Sequence, residues 1–231
     1  MKPRPHSIQK FPPRNSGIAT LVSRPRRIYL PMDKSPTGIR IVIVNGSARP
    51  GNYTAMASAL VANEFRKIGY AVDVVNPAEL NLPLPGTQAN HPAATHLQSL
   101  IKEAAAVVLA TPEYHGSFSS VIKLAIENMG FPSALSCKPV ALLGVAAGAI
   151  GAIKSLESLR GIVSHVGGLA LPMPVSVANV QKVFDPQGHC LDPATEKYIR
   201  GVATNVQNYL NDYVCPRYTL ERVMREGVAA N

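Results

Sequence analysis

Three segments of this 231-residue chain combine small, polar and aromatic residues in a way that suits a flat, phosphorylated small molecule. The first runs Asn45-Gly46-Ser47-Ala48-Arg49-Pro50-Gly51-Asn52-Tyr53-Thr54. Its glycines let backbone N–H groups approach an anion. Ser47, Asn52 and Thr54 add short polar donors, and Arg49 adds charge. A helix N-terminus favours an anion by ~0.3–1 kcal/mol, and by up to ~2 kcal/mol when partly buried. The same residues also suit an ordinary strand-to-helix turn with a Ser or Asn cap. Gly46 and Gly51 have the spacing of a nucleotide P-loop, but Asn52 and Tyr53 stand where its Lys and Ser/Thr belong. An NTPase is therefore not indicated. The second segment is Thr111-Pro112-Glu113-Tyr114-His115-Gly116-Ser117-Phe118. Tyr114 and Phe118 offer flat apolar faces, and Gly116 permits close backbone approach. The alternative is a proline-shaped turn whose aromatics fill the core. The third, Gly144-Val145-Ala146-Ala147-Gly148-Ala149-Ile150-Gly151, carries no bulky polar side chain. It leaves room for a ligand edge or for tight helix–sheet packing.

The elements that position these segments follow from hydrophobic periodicity. Ile39–Asn45 is a near-continuous β-branched run, as expected of a strand covered on both faces. Apolar residues at helical spacing predict a helix over Thr54–Ile68, ended by Gly69. Further strands are expected at Ala71–Val75, Ala106–Thr111 and Pro139–Val145. A weaker fifth, Leu169–Val175, is interrupted by Pro172 and Pro174. Helices are expected at His96–Ala105, Ser119–Met129, Ala152–Val166 and Pro193–Leu210, with a short one around Leu220–Arg225. This alternation predicts a doubly wound five-stranded parallel sheet with helices on both faces. Ligands of such sheets bind outside the carboxyl ends of the strands, where all three segments fall.

The formal net charge of +9 invites a polyanion partner, but its distribution argues otherwise. Residues 1–31 hold seven basic residues, six prolines and no acid. They supply +7, leaving a nearly neutral body. This leader, set at residues 1–38, is expected to be disordered, and Met32 is an alternative start. It lacks the apolar core of a secretory signal, and organelle targeting or an anion-binding arm are its other readings. The longest strongly apolar run, Val140–Ile153, has 14 residues, against the ~20 that a spanning helix needs. Three cysteines without metal spacing fit a reducing, cytoplasmic setting. Cys137 is expected to be a buried thiol, and His165 and His189 to be structural.

Taken together, the three segments and the later Phe184-Asp185-Pro186-Gln187-Gly188 resemble the NADPH-dependent FMN reductase and NAD(P)H quinone reductase family, which is flavodoxin-like. The resemblance covers about residues 39–212, and 213–231 is set apart as a C-terminal extension. It implies FMN as cofactor and NADPH or NADH as donor. It also implies ping-pong hydride transfer to a quinone, flavin, azo compound or similar small acceptor. Ser47, Arg49, Asn52, Tyr53 and Thr54 would hold the FMN phosphate. Pro112, Glu113, Tyr114, His115 and Gly116 would hold the isoalloxazine edge, with Gly148 near the ring. Family members are usually homodimers or homotetramers. No obligate general acid or base is assigned, because the cofactor does the redox chemistry. His115, where many members have Asn, is the candidate for tuning the flavin or contacting substrate. Glu113 reads as a capping or solvated group. The runner-up is a flavodoxin-like electron carrier with a protein partner. A degenerate interaction protein and nucleic-acid binding through the leader are further readings. No membrane partner is expected.

Overall fold

The computed structural model describes residues 38–226. The basic leader, apart from Gly38, and the alternative start at Met32 lie outside the described residues, as do residues 227–231.

The chain alternates strands and helices in the order β1 (Arg40–Asn45), α1 (Tyr53–Ile68), β2 (Ala71–Val75), α2 (Pro92–Glu103), β3 (Ala106–Tyr114), β4 (Ser117–Phe118), α3 (Ser120–Glu127), β5 (Pro139–Val145), α4 (Ile153–His165), β6 (Leu169–Ala170), β7 (Val175–Val177), α5 (Pro193–Tyr209) and α6 (Cys215–Glu226). The sheet order is β2-β1-β3-β5, with β6 and β7 following one another along the outer edge of β5. These pairings are parallel, whereas β4 folds back antiparallel on β3. The architecture is the flavodoxin-like one, with seven strands rather than five. Pro172 and Pro174 lie between β6 and β7 and split the expected fifth strand. Proline lacks the N–H that a ladder needs.

Alternation along β1 builds the core. Ile41 and Ile43 face one layer, with Val61 and Phe65 of α1 and Ile199 and Val206 of α5. Val42 and Val44 face the other, with Leu97, Ile101, Ile122 and Leu159 from α2, α3 and α4. Each such Ile or Leu, fully buried, contributes ~1.5–3 kcal/mol relative to exposure. The helices end as their sequences dictate. Gly69 adopts φ 96° after α1, its N–H donates to Arg66 O (3.0 Å), and Tyr70 N–H donates to Phe65 O (3.0 Å).

Two expectations are corrected. Cys137, expected as a buried thiol, is exposed in a turn ahead of β5, where its φ is 62°. The helix expected at Leu220–Arg225 starts earlier, because α5 runs through a π-turn (Leu210–Val214) into α6 without a stop. Among the described residues, no helix is long and apolar enough to cross a membrane, and no cluster of His, Cys, Asp and Glu could hold a metal ion.

Candidate functional site

In the sheet order, β2 lies on one side of β1 and β3 on the other, so the crevice opens at the carboxyl ends of β1 and β3. All three sequence-derived segments meet there or beside it.

The loop after β1 is built from local bonds. Asn52 is the N-cap of α1: its Oδ1 accepts from Ala55 N–H (2.7 Å) and its Nδ2 donates to Arg49 O (2.7 Å). Tyr53 opens the helix and stacks on Phe184, with centroids 6.4 Å apart. Thr54 is buried in the first turn. Ser47 is 1% exposed, and its hydroxyl has no partner among the described residues; Asn45 Oδ1 is also buried and unpaired. The N–H groups of Ser47, Ala48 and Arg49 meet no backbone acceptor among the described residues. Burying a hydroxyl unpaired costs on the order of 1–3 kcal/mol. That cost disappears if an anion takes the bond, and free N–H groups at the start of α1 favour the same charge. The residues present therefore fit a phosphate.

The second segment is more ordered than its sequence suggests. β3 continues to Tyr114 and turns through His115 (φ 50°) and Gly116 (φ 75°) into β4. This left-handed turn suits glycine and leaves His115 exposed. Pro112 pairs in register with Val145. Arg49 reaches over from the first loop, its guanidinium carbon 4.9 Å from the Tyr114 ring centroid, a cation–π contact. Glu113 Oε2 accepts the Ser155 N–H (3.1 Å) at the start of α4.

The third segment is tied to the chain that follows β7. Ser176 Oγ accepts from Ala152 N–H (2.9 Å), Asn179 N–H donates to Gly148 O (3.2 Å), and Gln181 Nε2 donates to Ala147 O (3.2 Å). A Cβ on Gly148 would meet nothing within 4 Å. Ile150 and Ile153 are exposed beside it as an apolar rim. The Phe184–Cys190 hairpin closes the far side of the first loop. Asp185 anchors it, accepting from the backbone N–H groups of Gln187 (2.9 Å) and His189 (2.8 Å) and pairing with the His189 ring (2.9 Å). Desolvation raises the Asp185 pKa, but the His189 and Gln187 contacts outweigh it and hold the carboxyl below its usual range.

Several contacts central to this geometry carried no sequence signal. Ser119 caps α3, accepting from Ile122 N–H (3.1 Å), and its hydroxyl donates to the Gly46 carbonyl, clamping the first segment to the second. Thr111 Oγ1 accepts the Ser119 N–H (3.1 Å). Gly46 sits where a Cβ would lie 2.7 Å from Ala110 O, so no other residue fits without movement. Ser176 and Lys154 also border the site. Ser119 and Gly46 are 73 positions apart, and no local pattern reveals such a bond.

Residues 39–182 match the family described as NADPH-dependent FMN reductase. An NADPH azoreductase of Bacillus sp. (strain OY1-2) is 32% identical over 140 residues, which cover 59% of this chain and 75% of that protein. An NAD(P)H-dependent FMN reductase of Pseudomonas aeruginosa is 29% identical over 167 residues, covering 70% and 90%. Among solved structures, the flavoenzyme NAD(P)H:(acceptor) oxidoreductase FerB from Paracoccus denitrificans superposes with a TM-score of 0.62 at 23% identity, covering 73% of this chain and 96% of that one. That likeness is one of fold.

Proposed function

The chain belongs to the NADPH-dependent FMN reductase family, and from that premise we propose that it is an FMN-dependent NAD(P)H reductase of a small acceptor, an azo compound, quinone or free flavin, working by ping-pong. Bound FMN would supply the redox chemistry, taking a hydride from the nicotinamide and returning electrons to the acceptor.

The chain's own residues bind, orient and shield. Ser47, with the N–H groups of its loop and Arg49, would hold the phosphate. Asn52 and Thr54 keep that loop in shape through the start of α1. The 112–116 turn offers backbone groups to the ring edge, and Gly148 leaves space beside it. The exposed His115, Ile150 and Ile153 border the face that donor and acceptor would occupy in turn. A hydride transfer needs the donor carbon about 3–3.5 Å from its acceptor, so an open stacking face matters more than a proton-transfer residue. The observation that carries the reading is the buried Ser47 hydroxyl at the switch point of the sheet, without a partner among the described residues. The electron-carrier reading is not favoured, because the relatives are named as reductases. The family resemblance extends the proposal to a homodimer or homotetramer.

The test is the absorption spectrum of the purified protein, followed by stopped-flow mixing with NADH and with NADPH. The proposal expects a flavin spectrum bleached by at least one donor, and re-oxidation by an azo dye or quinone added afterwards. Protein that neither carries FMN nor gains melting temperature on adding it would refute the proposal.

A further inference from the structure

Helix α4 begins without a cap of its own. Its N-cap residue is Ala152, which makes no side-chain cap, and its first turn holds no acid. The missing anion comes from another element. Glu113, near the end of β3 and two residues before the His115–Gly116 turn, reaches across and accepts the Ser155 N–H at 3.1 Å. A carboxylate at a helix N-terminus offsets the positive end of the dipole. It also ties the β3–β4 hairpin to α4, and the two pack together. Lys154, the residue before Ser155, lies on the same turn from the other direction. Its Cδ is 3.6 Å from the place a Gly116 Cβ would occupy, so the lysine stem lies against the turn at van der Waals distance. Lys154 is exposed and has no ion-pair partner among the described residues. One negative and one positive side chain thus flank the turn assigned above to the ring edge.

We infer that Glu113 and Lys154 are opposed electrostatic controls on the reduction potential of flavin held at the 112–116 turn, with Glu113 also positioning that turn on α4. The inference rests on the FMN reading of the site. Reduced flavin carries negative charge that the oxidised ring lacks. A cation beside the turn favours the reduced ligand, and an anion there disfavours it. Charges several ångströms apart near a protein surface shift such a balance by about three- to tenfold. The Glu113 carboxylate is bonded to α4 and would act on the ring through the turn it holds, so it is a positioning residue.

The test compares dissociation constants for FMN and for dithionite-reduced FMN in the wild type, Glu113→Gln, Lys154→Met and the double variant. Glutamine keeps an oxygen for the Ser155 N–H and removes the charge. Methionine keeps an apolar stem on Gly116 and removes the charge. Relative to wild type, Glu113→Gln is expected to favour reduced over oxidised FMN by about three- to tenfold, and Lys154→Met to disfavour it by a similar factor. A tenfold change in that ratio is about 30 mV in the two-electron potential. The double variant should return near the wild-type ratio. Glu113→Ala, which loses the acceptor as well, should weaken oxidised FMN too, and Glu113→Gln should restore it. With a wild type that binds FMN, shifts of the same sign in both single variants, or a ratio unmoved by either, would overturn this inference and leave the function standing. A wild type that binds neither form would overturn the function itself.

Discussion

The two ends of the sheet treat buried polar groups differently. At the amino ends of the strands they are satisfied. Lys138, 4% exposed just before β5, donates its ammonium to the Lys102 and Ala104 carbonyls (2.7 and 2.5 Å) at the end of α2. Arg40, a partly exposed residue at the start of β1, also pairs with Asp73 (2.8 Å). At the carboxyl ends Thr111 and Ser119 are paired, but several others are not. The buried side-chain atoms without a partner among the described residues are Asn45 Oδ1, Ser47 Oγ, Ser58 Oγ and His91 Nδ1. Each lies at the end of β1, in the first turns of α1, or just before α2, and so toward the carboxyl edge. Buried polar groups are normally paired, and a concentration of exceptions marks the face built to meet something else. On the proposed function, the carboxyl end is where pairing is given up for binding.

The largest effect should come where a carboxyl-end residue serves packing instead. Gly46→Val would push a branched side chain into Ala110 O and Ile122 Cβ, 2.7 and 3.0 Å from the first added carbon. A loss of about 3 kcal/mol or more in urea unfolding is expected. Full stability in this variant would show that the loop is not clamped. Lys138 tests the amino end. Burial lowers its pKa from 10.5 to about 8, with the two carbonyls opposing that shift by favouring the charged form. Between those values the unfolded chain binds the proton more tightly, so stability rises with pH; below about 8 the cost of the buried charge is present in full. The wild type should gain roughly 1–3 kcal/mol over Lys138→Met between pH 7.5 and 10.5, read from paired denaturation curves. A pH-independent difference would remove the ammonium from the account. FMN affinity should be the same in both. Ser47→Ala should do the opposite. Its FMN dissociation constant should rise about tenfold while its melting temperature does not fall, because the deleted hydroxyl had no partner to lose. A destabilised variant with unchanged FMN affinity would reverse the comparison. The smallest effect is expected at Arg49→Ala, where an exposed cation on Tyr114 contributes about 0.5–1 kcal/mol. FMN should bind several-fold more weakly, more so at low salt, in a fluorescence titration.

What the sequence revealed divides along the same line as local and long-range bonding. β1 was legible because burial on both faces demands an unbroken apolar run. α1 was legible because its cap, its stripe and its terminating glycine lie within 18 residues. The first loop was legible because Asn52 holds it through bonds to Arg49 and Ala55. The second and third segments were legible only as composition. β3 was expected to stop at Thr111, since Pro112 reads as a strand breaker. It continues because its missing N–H costs little where the ladder is ending, and because β4 folds back to pair with Glu113 and Tyr114. The bonds Glu113–Ser155, Ser176–Ala152 and Ser119–Gly46 span 42, 24 and 73 positions, and no periodicity encodes them. Cys137 was misplaced for a related reason. Proximity to an apolar strand suggested burial, whereas its left-handed turn points the thiol outward.

The central claim is that the loop after β1 is a phosphate site serving a flavin. Calorimetric titration of FMN and of riboflavin, which is the same ring without the phosphate, tests it most directly. The account predicts that the wild type binds FMN about 100-fold more tightly than riboflavin, roughly 2.7 kcal/mol, and that Ser47→Ala narrows this gap. Equal affinities for the two ligands, or a gap untouched by Ser47→Ala, would contradict it.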